Sequence, residues 1–226
     1  MAEVILALDL PDREASLTLL DRLPALRWVK VGSVLMTREG PGLLGELRAR
    51  GLEVFLDLKW HDIPNTVAGA VGAARDLGVR MATVHTLGGV EMMRAAAAAA
   101  GPELGLVGVT VLTSHDARSF GRATGRHEVD ITAEGPRLAR HAMESGLRGI
   151  VCSPLELGVI RQAIGPEPWL VVPGIRRPGD ATGDQRRTAG PTQAAAAGAT
   201  HLVVGRPILS ASEPAAALAE FLEAVR

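Results

Sequence analysis

Eight short apolar runs rich in β-branched residues recur along the chain, at residues 4–9, 28–31, 54–58, 81–85, 104–112, 149–152, 169–172 and 201–204. None shows the strict polar alternation of a half-exposed strand, so each predicts a strand buried on both faces, as in a parallel sheet. Between the runs lie segments with helical spacing or high alanine content, at 13–23, 42–50, 66–77, 90–100, 133–145, 155–164, 192–197 and 214–225. Eight strand–helix units in one chain predict a single-domain α/β protein, a (β/α)8 TIM barrel near the short end of that fold's size range. A doubly wound open sheet is the alternative. It fits eight regular repeats less well, and no Gly-x-Gly-x-x-Gly follows the first strand.

Two connections are too long to be mere joints. Residues 113–132 follow the fifth strand and read as polar throughout. Residues 173–191 follow the seventh and contain Gly174, Gly179, Gly183, Gly190 and four arginines. A long Gly-rich segment without periodicity in a compact domain is a functional lid or a disordered tip, and the arginines here favour the lid. No linker, repeat array or low-complexity tail divides the chain, so residues 1–226 are expected to form one domain.

Composition narrows the function classes. The 226 residues are 47% hydrophobic and carry a formal net charge of -1, with a pI near 6.6. That balance offers no global electrostatic case for binding nucleic acid or a membrane surface. Cys152 is the only cysteine, which excludes an intramolecular disulfide and Cys-based zinc clusters. It lies in an apolar run and reads as a buried small residue. The chain opens almost directly on its first strand, with no basic n-region or long apolar stretch, so a cytoplasmic protein without a signal peptide is expected.

The cations are unevenly divided: 2 lysines against 22 arginines. Both lysines stand at the ends of apolar strands, in Trp28-Val29-Lys30-Val31-Gly32 and Asp57-Leu58-Lys59-Trp60-His61-Asp62. An ammonium can give up its proton where a guanidinium cannot, so a lysine retained beside aspartates is a candidate for proton transfer. Asp9, Lys30, Asp57 and Lys59 all fall at or near the carboxyl ends of the first three strands, the catalytic rim of a barrel. Strand alternation puts Asp57 and Lys59 on one side. Asp62 falls in the loop beyond, because Pro64 suits the first turn of the next helix. A purely structural salt-bridge network is the alternative, though buried ion pairs are a costly way to obtain stability alone.

Phosphate sites in barrels often form from the loops after strands seven and eight. Here those loops hold Gly183-Asp184-Gln185-Arg186 and Val204-Gly205-Arg206-Pro207. Gly205 allows close backbone approach, and Arg206 offers a fork for bidentate binding. A surface capping arginine is the plainer reading of Arg206. His85 reads as a hydrogen-bonded rim residue, and His61 as one that orients its loop or a subunit contact. His115, His127 and His141 lack partner spacing. There is no His-x-x-x-His pair, carboxylate-rich metal loop or nucleophile elbow.

These motifs resemble the bacterial orotidine 5'-phosphate decarboxylase family. The matching pieces run in family order over nearly the whole chain. They include Ala7-Leu8-Asp9, Lys30-Val31-Gly32, the specific stretch from Phe55 to Thr66, Val109 to Ser114, Val151-Cys152-Ser153-Pro154, Pro173-Gly174-Ile175-Arg176, Gly183 to Arg186 and Leu202 to Pro207. Trp60 departs from the phenylalanine expected in many relatives and leaves the charges intact. The resemblance implies a homodimeric barrel that converts orotidine 5'-phosphate to uridine 5'-phosphate and CO2 with no metal or organic cofactor. It implies that Asp9 and Lys30 bind the ribose, Asp57 lies beside the departing carboxylate, and Lys59 protonates C6. Asp62 and Thr66 would reach the neighbouring subunit's site, and Thr113 would sit near the pyrimidine. Gln185 would bridge base and phosphate, and Arg176, Gly205 and Arg206 would hold the phosphate side. One rival is a related phosphosugar lyase that uses Mg2+ to stabilise an enediolate. Another is a catalytically dead nucleotide-binding or regulatory protein.

Overall fold

The computed structural model describes residues 2–180 and 187–226. Eight parallel strands close into a barrel in sequence order, each hydrogen-bonded to its neighbours and the eighth to the first. The first half runs β1 (Glu3–Ala7), α1 (Arg13–Asp21), β2 (Trp28–Gly32), α2 (Ser33–Glu39), α3 (Gly42–Ala49), β3 (Glu53–Trp60), α4 (Pro64–Asp76), β4 (Met81–His85) and α5 (Gly89–Ala100). The second runs β5 (Gly105–Val109), α6 (Ala117–Thr124), α7 (Ile131–Glu144), β6 (Gly149–Val151), α8 (Leu157–Ile164), β7 (Trp169–Val172), α9 (Pro191–Ala196), β8 (His201–Val204), α10 (Arg206–Leu209) and α11 (Pro214–Ala224). None of the helices among the described residues is long and apolar enough to cross a membrane.

The apolar runs become strands because they are enclosed twice. Alternate residues point into the barrel, where Ile5, Ala7, Trp28, Phe55, Met81, Val107, Val171 and Val203 form one cluster. The intervening residues, such as Leu6, Val29, Leu56, Ala82 and Leu202, pack outward against the helices in a larger cluster. Helix starts follow local chemistry. The Asp12 side chain accepts from the Ala15 amide at 2.9 Å to cap α1. Pro64 stands in the first turn of α4, where its missing N–H costs nothing.

Three helices lie outside the segments with helical spacing. The segment 113–132 is not polar throughout: it contains α6, whose Phe120 joins Val111 and Leu138 in a small separate core. An Asp116–Ser119 capping box starts that helix. The others, α2 and α10, follow their strands immediately and are short.

The third strand holds the main irregularity. Leu56 pairs with Ala82, but the next register pair is Trp60 with Val84. Asp57, Leu58 and Lys59 therefore bulge opposite Thr83 alone. Lys59 takes a left-handed backbone with φ 51°, the one non-glycine among the described residues to do so. That conformation costs a side-chain-bearing residue about 1–2 kcal/mol. The shared side expected of Asp57 and Lys59 holds, since their side chains meet at 2.7 Å, but the bulge rather than simple alternation aims them.

Candidate active site

A cavity of about 640 Å³ opens at the carboxyl ends of the strands. Small-molecule sites typically span ~300–1,000 Å³. Its wall includes Asp9, Lys30, Asp57 and Lys59 from the first three strands and their ends. Thr113, Arg176, Gly205 and Arg206 from the loops after strands five, seven and eight complete it. Of the residues expected at the site, these eight are brought together. Asp62 and Thr66 are not: both are exposed outside the cavity wall, and the Asp62 carboxylate accepts from the Ile63 amide at 2.6 Å. Gln185 lies outside the described residues, with the rest of 181–186.

The charges form a continuous chain. Asp57 Oδ1 accepts from Lys59 Nζ at 2.7 Å, and Asp57 Oδ2 lies 3.5 Å from Lys30 Nζ. Lys30 Nζ lies 3.4 Å from Asp9 Oδ1. Burial by itself pushes the Asp57 pKa up. Lys30 and Lys59, with hydrogen bonds from Lys59 and Thr83, outweigh it and hold the carboxyl below the usual range. Asp57 is therefore ionised at neutral pH although its side chain is only 13% exposed, while Lys59 is 39% exposed and faces open cavity. Gly32 matters to this packing: a Cβ there would stand 3.2 Å from Lys30 Nζ. Nothing in the local sequence around Gly32 assigns it that role.

Histidines frame the rim. His85 ends β4, and its Nδ1 accepts from the Leu87 amide at 3.3 Å, as expected of a hydrogen-bonded rim residue. The His61 ring stacks on it at 5.4 Å. Burial, with the nearby His61, Lys59 and His115, lowers the His85 pKa to about 4, so the ring is neutral. Cys152 is buried, which pushes its thiol pKa up and leaves it inert, as its apolar run suggested. Among the described residues no group of His, Cys, Asp and Glu is arranged to hold a metal ion.

The loop of residues 173–191 is tied down at both feet. Ile175 bridges Ala189, and the Arg176 amide donates to the Ala189 carbonyl at 3.0 Å. Arg187 lies 3.2 Å from the Glu156 carboxylate and donates to the Leu112 carbonyl. Arg177 pairs with Asp180 and with Glu220 of α11. The loop's arginines are plain in the sequence, and so is Asp180 three residues past Arg177, but the distant partners of Arg177 and Arg187 are not. Glu156 and Glu220 lie far off in the chain, and no local pattern points to them.

A closed (β/α)8 barrel with ionisable side chains gathered at the carboxyl rim is the architecture of a barrel enzyme. The sequence model of the Orotidine 5'-phosphate decarboxylase / HUMPS family matches residues 2–221, and the chain belongs to that family. It is 50% identical to the orotidine 5'-phosphate decarboxylase of Halorhodospira halophila, over 96% of this chain and 92% of that protein. It is 48% identical to that of Pseudomonas entomophila, over 99% of this chain and 97% of that protein. The crystal structure of orotidine 5'-phosphate decarboxylase from Lactobacillus acidophilus covers both chains completely, with a TM-score of 0.89 and 35% identity.

Proposed function

We propose that this chain is a carboxy-lyase that converts orotidine 5'-phosphate to uridine 5'-phosphate and CO2 in pyrimidine biosynthesis, with no metal or organic cofactor and with Lys59 as proton donor to C6. The observation that carries the reading is the Lys30–Asp57–Lys59 chain of ion pairs across the cavity mouth, in a protein half identical to a named decarboxylase.

Loss of CO2 without an electron sink leaves negative charge on a ring carbon. Preorganised cations where that charge develops are the strongest means of stabilising it. Lys59 and Lys30 are held on either side of one carboxylate, so they need little reorganisation as the reaction proceeds. Lys59, exposed to the cavity, supplies the proton. Asp57 is ionised and repels a substrate carboxylate placed beside it, a repulsion that eases as CO2 departs. Asp9 with Lys30 takes the ribose hydroxyls, and Thr113 sits beside the pyrimidine. At the far end, Arg176, Gly205 and Arg206 hold the phosphate, with Gln185 joining base to phosphate. Phosphate binding energy then closes residues 173–191 over the site, so contacts remote from the reacting carbon serve the chemistry. The test is turnover of orotidine 5'-phosphate followed by ultraviolet absorbance in EDTA. Turnover that persists in EDTA is expected, and its absence, or a requirement for added Mg2+, overturns the reading.

The active enzyme is a cytoplasmic homodimer whose sites are shared. Asp62 and Thr66 lie on an exposed strip of the β3–α4 connection that also includes Ile63, 66% exposed. In a two-fold dimer each subunit both gives and receives this strip. Mixing inactive Lys59→Ala and Asp62→Ala chains under subunit exchange makes about half the dimers mixed, each with one whole site. Activity then returns to about a quarter of wild type by two-site symmetry. No recovery after verified exchange would place Asp62 in its own chain's site.

A further inference from the structure

We propose that Thr83 is a positioning residue for this reaction: its hydroxyl fixes the β3 bulge and thereby sets the Asp57 carboxylate and Lys59 against each other. The inference rests on the decarboxylase reading above. Thr83 is the middle residue of β4, shares the inward face with Met81, and is completely buried. Its oxygen accepts from the Lys59 backbone amide at 2.8 Å and donates to Asp57 Oδ1 at 3.1 Å. Since the amide N–H can only donate and an ionised carboxylate can only accept, both directions are fixed.

Geometry makes this hydroxyl necessary. Across the bulge, Asp57, Leu58 and Lys59 face a single residue of β4, so normal ladder pairing is interrupted at the point where the two ionised residues stand. Lys59 has no register partner on β4, and its amide donates to a side chain instead of a strand carbonyl. A buried amide without a partner costs about 1–3 kcal/mol. Thr83 supplies that partner from a side chain and donates its own proton to the Asp57 oxygen that also takes the Lys59 ammonium. One oxygen atom thus ties the backbone of the proton donor to the carboxylate beside it.

Two other buried threonines nearby show the contrast. Thr86 and Thr110 donate to the backbone carbonyls of Val109 and Val151, tying loop or strand end to the next strand. Those bonds hold structure alone. Thr83 bonds to an ionised side chain in the cavity wall.

The test compares Thr83→Val, which keeps the shape and loses the hydroxyl, with Thr83→Ser, which keeps the hydroxyl. A shift of about 1 Å in a reacting group can cost about 100-fold. Thr83→Val is expected to lose about that factor in kcat, with KM and uridine 5'-phosphate binding within about threefold of wild type, since an interaction made in the transition state was removed. Thr83→Ser is expected to recover most of the loss. If Thr83→Val does not fold, Thr83→Ala, which leaves space for water at the Lys59 amide, carries the same expectation. Wild-type kcat in the hydroxyl-free variant overturns the proposal. So does a Ser variant as impaired as Val, or a loss of product binding equal to the loss in kcat. An inactive wild-type enzyme would instead overturn the decarboxylase reading itself, so the two failures are distinct.

Discussion

At the floor of the barrel, where the strands begin, the His201 ring is held edge-on between Trp28 and Trp169, with centroids 5.5 and 5.1 Å away. At the mouth, Lys30, Asp57 and Lys59 stand in one chain of ion pairs. Both groups stand on strands of the one barrel, at its opposite ends, and β2 contributes to each, with Trp28 at the floor and Lys30 at the mouth. At the floor the ionisable group is kept neutral: burial lowers the His201 pKa to about 4, and its Nδ1 lies 2.9 Å from the Thr200 hydroxyl. At the mouth the charges are kept and paired. A neutral ring between indoles is a packing element, whereas paired charges beside an open cavity are a costly arrangement that only a reaction or a ligand explains. Glycine makes room for the indoles at the floor, since a Cβ on Gly105 would lie 2.2 Å from the Trp169 ring.

Changing one end should leave the other's property intact. The largest effect falls on the floor. Trp169→Ala removes a half-buried indole and should cost about 3 kcal/mol of stability, the low end for such truncations, read by urea denaturation. The kcat on orotidine 5'-phosphate should stay near wild type below the unfolding transition. A specific loss of kcat in the folded variant would break the division between the two ends.

Arg206→Ala at the mouth should do the reverse. A charge-assisted hydrogen bond contributes about 1.5–3 kcal/mol, so KM should rise roughly tenfold to a hundredfold with little change in stability. A fall in kcat as well would show that closure of the lid depends on this grip. Unaltered kinetics would remove the phosphate from this end of the cavity.

The smallest effect per pH unit sharpens the neutral-floor claim. The His201 pKa is about 4 in the folded chain against 6.5 for a free ring. Between these values the unfolded chain binds more protons, so stability rises with pH. The contribution is complete above about pH 6.5 and is lost as pH falls towards 4, at no more than about 1.4 kcal/mol per unit for one proton. His85, also lowered to about 4, adds a similar dependence from the rim. Denaturant midpoints between pH 4 and 7 should therefore flatten in part in His201→Phe. An unchanged slope would mean that His201 is not neutral in the fold.

The barrel was legible because enclosure on both faces keeps most positions of every strand apolar, leaving a pattern that needs no homologue to be read. The charges at the strand ends were legible for the converse reason: Lys30 and Lys59 interrupt apolar runs in a chain that otherwise uses arginine. The short helices were hidden by their own chemistry. α6 buries little beyond Phe120 and Gly121 among polar neighbours, so no apolar stripe announces it. α2 begins at Ser33 straight after its strand, without a side-chain cap. The bulge was hidden because Lys59 is no glycine and nothing in the spacing marks its backbone. Thr83 was hidden with it, as a single hydroxyl in an apolar strand whose partners are 24 and 26 positions away. Gln185, whose assignment depends most on resemblance, lies outside the described residues.

The most direct test of the division between floor and mouth is the Lys59→Ala chain, assayed for turnover of orotidine 5'-phosphate and for binding of uridine 5'-phosphate. Lys59 is the most exposed of the three ion-paired residues in the cavity wall, its side chain 39% exposed against 12% for Lys30 and 13% for Asp57, and its loss leaves the buried core untouched. The expected result is near-complete loss of decarboxylation with product affinity within about tenfold of wild type, the signature of an interaction used in the transition state. Turnover within about tenfold of wild type would contradict the account, because a group that merely balances charge would then occupy the place assigned to the proton donor.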